Sequence, residues 1–252
     1  VLNCRKTGAL TVSLGKVGDN ITALNAGWSF AGSVADTFDD HVSKSVPLYN
    51  EGHGLTAALS DFFVKNGSRV YEIGCSTGTL TMTLATRSAH KKDVSFVGID
   101  VEADMVAKAQ EKARAASLKQ VDFRVDDIVT MELEPCDMVV AYYTIQFIAP
   151  SVRQLVIDKI YKALNWGGAF VLFEKVRAPD ARFQDIATSL YNDYKLDQGY
   201  SPDEIVSKAR SLKGVLEPFS SQGNVDLMKR AGFNDIMTLQ KYICFEGMIA
   251  IK

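Results

Sequence analysis

The clearest chemical signal in the sequence is a strand that runs into a turn bracketed by two glycines. The segment reads Val70-Tyr71-Glu72-Ile73-Gly74-Cys75-Ser76-Thr77-Gly78, and a helical pattern follows it. Glycines permit positive φ and let a ligand approach the backbone, while the start of a helix offers unpaired N–H donors. The segment therefore predicts a ligand-binding turn, whose candidate contacts are Glu72, Gly74, Cys75, Ser76 and Gly78.

Other chemistries of glycine turns fit this segment less well. Its spacing is G-x-x-x-G, which differs from the G-x-G-x-x-G of dinucleotide-binding proteins, and it lacks the Lys-Ser/Thr of a phosphate-binding P-loop. It also matches the G-x-S-x-G elbow of serine hydrolases, which need an acid and then a histidine later in the chain. His90 is the only histidine after Ser76, and no carboxylate lies between them, so the hydrolase alternative fails on chain order.

Acidic residues end the next two predicted strands. Asp100 lies about 20 residues beyond Gly78, a spacing at which an acid can accept both ribose hydroxyls of a nucleoside. Asp126 and Asp127 end the following strand, where a carboxylate can accept an amine of adenine and the backbone of Ile128 can reach a ring nitrogen. Each feature alone is as typical of a turn or a helix cap. All three in order favour one nucleoside site.

The elements that position these residues alternate between strand and helix, a pattern typical of a parallel sheet with crossover helices. We predict strands over 69–73, 95–99, 121–125, 137–142 and 169–173, and helices over Leu80–Arg87, Ala103–Ala116 and Ser151–Leu164. Asn165-Trp166-Gly167-Gly168 should end the last of these helices. Towards the end of the chain we predict a helix over Asn224–Ala231, then strands over Ile236–Tyr242 and Cys244–Ile251. These two strands are too close in sequence to pair in parallel.

Two helical segments flank this core, and we predict that they cover the carboxyl edge of the sheet and select the second substrate. The first is Ser33–Lys65, with a break at Pro47, and the second is Asp180–Leu216. His41 and His53 lie in the first segment, where a histidine is most often a packing residue. The predicted domains are a helical cap over 1–66, a nucleoside-binding core over 67–176, a helical lid over 177–220, and a helix with a strand pair over 221–252.

The composition is that of a globular chain with a full core, since 47% of the 252 residues are hydrophobic and 23% are charged. A net charge of −2 does not indicate nucleic acid or anionic lipid as a partner. No apolar stretch approaches the roughly 18 to 20 residues of a membrane span. The cysteines Cys4, Cys75, Cys136 and Cys244 have no C-x-x-C spacing, so we predict no metal site and a reduced, cytoplasmic protein.

The three motifs resemble those of class I S-adenosylmethionine-dependent methyltransferases. The resemblance rests on the glycine turn, on Gly98-Ile99-Asp100 and on Asp126-Asp127-Ile128, and Leu164–Phe170 is similar to that family's turn before strand five. It implies an α/β fold with a Rossmann-like, seven-stranded, mostly parallel sheet whose last strand is antiparallel. It also implies S-adenosylmethionine (SAM), or its product S-adenosylhomocysteine (SAH), as the bound nucleoside.

A narrower resemblance, to the carboxy-S-adenosylmethionine synthase family of tRNA wobble-uridine modification, extends over the flanks. It rests on Trp28-Ser29-Phe30, Ser45–Tyr49, Tyr143–Phe147, Phe173-Glu174-Lys175 and Gly199-Tyr200-Ser201. It implies a homodimer with prephenate as second substrate. Tyr142 is a candidate contact of the cofactor, because aromatic faces suit a sulfonium cation. The candidate substrate contacts are Tyr49, Tyr143, Tyr200 and Arg210.

Two departures from that narrower family favour ordinary methyl transfer. Its Lys-Arg-x-x-Leu-Glu-x-Val becomes Lys208-Ala209-Arg210-Ser211-Leu212-Lys213-Gly214-Val215, which displaces the arginine by one position, about 100° around a helix. Tyr142 also replaces an asparagine. We therefore predict a SAM-dependent methyltransferase that acts on a small-molecule acceptor and has no identifiable catalytic base. The alternatives are a carboxy-S-adenosylmethionine synthase and a nucleoside-binding module without catalysis.

Overall fold

The computed structural model describes residues 15–18, 21–30, 32 and 34–252. Cys4 and Ser33, which the sequence analysis singles out, lie outside the described residues. The elements, in chain order, are β1 (Gly15–Lys16), β2 (Thr22–Ala23), α1 (Val34–Ser45), α2 (Tyr49–Phe63), β3 (Arg69–Ile73), α3 (Thr79–Arg87), β4 (Ser95–Asp100), α4 (Ala103–Ala115), β5 (Val121–Val125), β6 (Cys136–Tyr142), α5 (Arg153–Ala163), β7 (Leu164–Lys175), α6 (Ala181–Asp197), α7 (Pro202–Ser211), α8 (Ser221–Ala231), β8 (Asp235–Tyr242) and β9 (Phe245–Ile251).

One seven-stranded sheet carries the fold, with the strand order β5-β4-β3-β6-β7-β9-β8. The pairs from β5 to β7 are all parallel, whereas β9 is antiparallel to both β7 and β8. The predicted α/β sheet with an antiparallel last strand is thereby confirmed. The strand order reverses at β3, which has β4 on one side and β6 on the other, and ligands of such sheets bind at the carboxyl ends beside this reversal.

Helices pack on both faces of the sheet and bury its apolar side chains. On one face, Val156 and Ile160 of α5 and Leu227 of α8 form a core with alternate residues of the central strands. On the other face, Ala57 of α2 and Leu84 of α3 pack on the intervening residues of the same strands, which point to the opposite side of the sheet. Adjacent residues of a buried strand thus serve different cores, as the two-residue period of a strand requires. Among the described residues, no helix is both long and apolar enough to cross a membrane.

The structure differs from the sequence prediction around Trp166. The predicted helix over Ser151–Leu164 is shorter, Arg153–Ala163, and follows a single 3₁₀ turn at Pro150–Val152. The predicted stop at 165–168 is part of β7, because Gly167 donates a backbone hydrogen bond to Lys252 (2.8 Å) and Lys252 donates one to Gly168 (3.0 Å). These two bonds continue the ladder beyond β9. Sequence-local turn chemistry could not reveal that partner, which comes from the last residue of the chain.

Candidate functional site

A cavity of about 470 Å³ lies over the carboxyl ends of β3, β4, β5, β6 and β7. Its floor is formed by the strand ends and the turns that follow them, and its walls come from α1, α2 and the segment around α6 and α7. Ligand cavities of small molecules have volumes of roughly 300 to 1,000 Å³, so a nucleoside fits this space. The position is the one expected for a ligand of a parallel α/β sheet.

The glycine turn forms one side of the cavity through Gly74, Cys75 and Ser76. Gly74 and Ser76 have φ of 70° and 48°, and the backbone N–H of Gly74 donates to the Ile99 carbonyl at 2.8 Å. A side chain at Gly74 would overlap Thr144, so this glycine is required by packing beneath the turn as well as by its φ. Gly78 lies outside the lining. A side chain there would overlap Phe123, so its visible role is to bring the turn close to β5.

Asp100 ends β4 at the edge of the cavity and is bonded to the glycine turn. Its Oδ2 accepts the backbone N–H of Ser76 at 2.8 Å, and its Oδ1 accepts that of Glu102 at 3.0 Å. Burial raises the pKa of Asp100, while these backbone donors act in the opposite direction. The carboxylate is thus fixed in orientation and still has free lone pairs towards the cavity, which suits two ribose hydroxyls.

The end of β5 supplies the adjoining part of the lining, with Asp126, Asp127, Ile128 and Val129. One carboxylate oxygen of Asp127 accepts the N–H of Val129 at 2.8 Å, and one of Asp126 accepts the N–H of Asp127 at 2.9 Å. Each acid therefore holds the local turn and keeps a second oxygen available. With the buried Ile128 beside them, they offer an acceptor and an apolar surface to a purine ring.

Glu72 is a buried acid at the inner end of the cavity. Burial raises its pKa to about 8, even though the Thr81 hydroxyl donates to Oε2. The neighbouring Cys75 is also buried, and burial raises the pKa of its thiol. A carboxyl group in this position is largely neutral at pH 7, and a bound cation beside it would favour the ionised form.

Aromatic rings enclose the part of the cavity above β6. Tyr49 and His53 of α2 approach Tyr142, with ring-centroid distances of 5.1 and 4.6 Å, and Tyr143 lies 4.9 Å from Tyr142. The Tyr142 hydroxyl donates to the Tyr49 carbonyl at 2.7 Å. Burial lowers the pKa of His53 to about 4, and its buried Nε2 has no hydrogen-bond partner, as is also true of the Tyr143 hydroxyl. Four rings therefore line this space, and two of them carry an unpartnered polar atom.

The structure places the remaining candidates, Tyr200 and Arg210, outside the lining. The Tyr200 hydroxyl lies 3.0 Å from Ser45 Oγ, so it supports the wall from behind. Arg210 is exposed on α7, and Lys208, two residues earlier, is the α7 cation that lines the cavity. Lys208 Nζ lies over the ring of Trp28 and 3.2 Å from His41 Nε2.

Sequence reasoning missed Asp39 as part of the site. It reaches the cavity from α1 and accepts hydrogen bonds from Thr77 (2.7 Å) and Lys112 (2.8 Å). Burial alone would raise the pKa of Asp39, but these bonds outweigh burial and lower it. Asp39 therefore joins α1 to the glycine turn and to α4. The sequence signals were its position on the predicted cap helix and the Phe38-Asp39 pair, which belongs to the narrower resemblance.

The residues fit the nucleoside that the sequence motifs imply. Glu72 is a buried acid and Asp100 a half-buried one, and both line one cavity. The rings above β6 suit a sulfonium, and His53 and Tyr143, whose Nε2 and hydroxyl are unpartnered, line the same space. Within the described ranges, no group of three or more histidine, cysteine or acidic side chains could hold a metal ion.

Comparison with known proteins identifies relatives of this chain in sequence and in fold. Residues 70–168 match the model of a family described as a methyltransferase domain. A protein of Campylobacter lari named carboxy-S-adenosyl-L-methionine synthase is 35% identical over 91% of this chain and 96% of its own length. One of the same name from Campylobacter jejuni is 37% identical over 89% of this chain and 94% of its own length. Human N-acetylserotonin methyltransferase, solved in complex with SAM, shares the fold with a TM-score of 0.57, 17% identity, and coverage of 87% of this chain and 55% of that one.

Proposed function

The chain belongs to the carboxy-S-adenosyl-L-methionine synthase family. We propose that it binds SAM in the cavity over β3–β7, as this membership indicates, and that it differs from the relatives' named activity by transferring the methyl group to a small-molecule acceptor. The observation that carries this proposal is Asp100, a half-buried acid whose carboxylate is held by the backbone of Ser76 and Glu102 at the edge of the cavity. Bound SAM would supply an electrophilic methyl group, the acceptor would supply the attacking atom, and the S–CH3 bond would break to leave SAH. The chain would supply positioning and a water-free surrounding.

Different residues along the edge of the sheet would bind different parts of SAM. Asp100 would hold the ribose, Asp126 or Asp127 with Ile128 the adenine, and Glu72 with the turn of Gly74 to Ser76 the methionine part. Tyr49, Tyr142 and Tyr143 would enclose the sulfonium and exclude water. Positioning and desolvation account for much of the rate of an in-line displacement, so no protein nucleophile is needed.

Native mass spectrometry of the purified protein tests the binding step, because a retained nucleoside would be identified by its mass. Isothermal titration calorimetry with SAM and SAH then gives the affinities, which we expect to be in the micromolar range, about −8 kcal/mol. Absence of binding of both compounds would overturn the proposal, and it would also remove the non-catalytic nucleoside module as an alternative.

A second candidate function is synthesis of carboxy-S-adenosylmethionine from SAM and prephenate, and the full-length similarity to relatives of that name favours it. Against it stands Arg210, whose exposed position on α7 leaves Lys208 as that helix's cation in the cavity. Incubation with SAM and prephenate, followed by mass spectrometry, separates the two functions. We expect no carboxylated sulfonium, and finding one would establish the second function.

From the resemblance in sequence we also propose that the protein is a cytoplasmic homodimer. Phe183, Ile186 and Leu190 share one side of α6 and are half exposed, an apolar surface that a second copy could cover. Light scattering after size exclusion should give twice the mass of the chain, and Ile186→Asp should halve it. A monomeric wild-type protein would refute the dimer.

A further inference from the structure

Tyr142 lies next to the glycine turn at the floor of the cavity. Ile73 of β3 pairs with Ala141 of β6, so the residues that follow them, Gly74 and Tyr142, end two adjacent strands side by side. Paired strands are roughly 5 Å apart, and both residues line the cavity. A ligand that is bound on the turn at Gly74 therefore also lies next to Tyr142.

The ring of Tyr142 is fixed at both ends. Its backbone belongs to β6 and pairs with Phe173 of β7, whose ring centroid is 4.6 Å away. Its hydroxyl donates a hydrogen bond to the carbonyl of Tyr49, in the first turn of α2, at 2.7 Å. The residue is only 6% exposed, and the rings of Tyr49, His53 and Tyr143 pack around it. Rotation of the ring would break this hydrogen bond and displace the surrounding rings.

The helix α2 has space for this hydroxyl because residue 52 is a glycine. A side chain at Gly52 would overlap the Tyr142 hydroxyl and press on the ring of Phe173. Gly54, two residues later on the same helix, is exposed and has open space where a side chain would begin. Gly52 does not have a positive φ, and glycine is unfavourable inside a helix compared with alanine. Room for the tyrosine is therefore the visible reason for this glycine.

The arrangement of SAM in the proposed function directs one substituent of its sulfur towards this ring. The sulfur carries the ribose carbon, the methionine chain and the methyl group. Asp100, at the end of β4, would bind the ribose, and the turn after β3 would bind the methionine part. The next strand beyond β3 is β6, which ends at Tyr142. The methyl group would therefore face a ring of fixed position.

We propose that Tyr142 determines which sulfonium the protein accepts: its ring, bonded to the Tyr49 carbonyl and accommodated by Gly52, leaves room for a methyl group on the sulfur and excludes an ethyl or larger group. The proposal rests on the proposed function and adds a specificity-determining residue to the same site. Closely packed rings have little capacity to relax around an additional methylene group. The narrower resemblance has the smaller asparagine at this position, so the ring is a feature of this chain.

Calorimetry with three ligands that differ in the third substituent of the sulfur tests the proposal. SAH has none, SAM has a methyl group, and S-adenosyl-L-ethionine has an ethyl group. We expect the wild-type protein to bind S-adenosyl-L-ethionine at least about tenfold more weakly than SAM, the effect of one extra methylene in a packed pocket. Tyr142→Val should remove most of this difference because it removes the ring, whereas Tyr142→Phe should keep most of it because it retains the ring.

Alanine variants of α2 test the role of Gly52. Gly52→Ala should weaken SAM binding by about tenfold, because the new methyl group displaces the Tyr142 hydroxyl and moves the ring into the cavity. The double variant Gly52→Ala, Tyr142→Phe has no hydroxyl to displace and should bind SAM as Tyr142→Phe does. Gly54→Ala is the matched control on the same helix and should bind SAM as the wild type does.

The affinity for SAH separates this proposal from the proposed function. If the wild type binds neither SAH nor SAM, the proposed function is wrong. If it binds both but does not prefer SAM to S-adenosyl-L-ethionine, or if Tyr142→Val keeps the full preference, the proposal is refuted. Loss of the preference in Tyr142→Phe would contradict the role of the ring, and equal SAM affinities of Gly52→Ala and the wild type would contradict that of Gly52. If Tyr142→Val does not fold, the SAM affinities of Gly52→Ala and the double variant decide the question.

Discussion

Binding of SAM should release a proton from Glu72. The pKa of this buried carboxyl group is about 8 in the protein without ligand, so about 90% of it is protonated at pH 7. The ammonium and sulfonium of SAM would stabilise the ionised form and return the pKa towards 4.5. The expected release at pH 7 is therefore about 0.9 proton per site.

The same linkage determines how the affinity depends on pH. Because the complex holds one proton fewer than the free protein between pH 4.5 and pH 8, binding should tighten as pH rises through this window. The association constant for SAM should rise by at most about tenfold per pH unit and become constant above pH 8. The folding stability of the ligand-free protein should depend on pH in the opposite direction. Because the carboxyl pKa is raised on folding, Glu72 stabilises the folded protein at low pH, and this contribution is lost as pH rises from 4.5 to 8.

Calorimetry at pH 7 in phosphate and in Tris measures the released protons, because these buffers differ in their heats of protonation. Glu72→Gln should remove the difference between the buffers. The matched control is Glu174→Gln, which replaces another buried acid with a pKa of about 8 that lies outside the cavity lining and should leave the release intact. The reasoning would be refuted if the wild type showed no buffer dependence, or if Glu72→Gln released as many protons as the wild type.

Three further predictions concern other parts of the site. Asp100→Asn should weaken SAH binding by at least about tenfold in calorimetry, because an amide cannot accept both backbone hydrogen bonds and those of the ribose hydroxyls. The surface variant Asp122→Asn should bind SAH as the wild type does. Equal affinities of Asp100→Asn and the wild type would contradict the ribose assignment. Burial lowers the pKa of His53 to about 4 in the folded protein, against 6.5 in the unfolded chain, so acid favours unfolding. From pH 7 to pH 5, the free energy of unfolding in urea should fall by about 2 kcal/mol more in the wild type than in His53→Gln. Equal decreases in the two proteins would contradict this. Trypsin cleavage within 177–220 should be slowed by SAH, and an unchanged rate would count against a lid.

Much of the fold could be predicted because its signals are local. The β-branched strand Arg69–Ile73 agrees with β3 to the residue, and the predicted break at Pro47 separates α1 from α2. The spacing from the glycine turn to Asp100 also follows from local structure, since one helix and one strand of ordinary length separate them. Parallel strands then bring both to one edge of the sheet.

Features that depend on contacts between distant segments could not be predicted in this way. Glu174 and Lys175 are adjacent in sequence, and only their positions in β7 direct one to α5 and the other into the cavity. Asp39 contributes through Lys112, which lies on another helix. On α7, the order Lys208-Ala209-Arg210 does not reveal which cation faces the cavity, because the orientation of the helix is set by its packing.

The walls above β6 constrain the acceptor atom. That atom must reach the methyl group of the sulfonium above β6, where Tyr142, Tyr143 and His53 line the cavity. Burial lowers the pKa of His53 to about 4, so its unpartnered Nε2 is neutral at pH 7 and too weak a base to remove a proton efficiently. It suits a hydrogen bond with an acceptor hydroxyl or amine instead. An acceptor that presents a neutral oxygen or nitrogen to these walls would satisfy this arrangement.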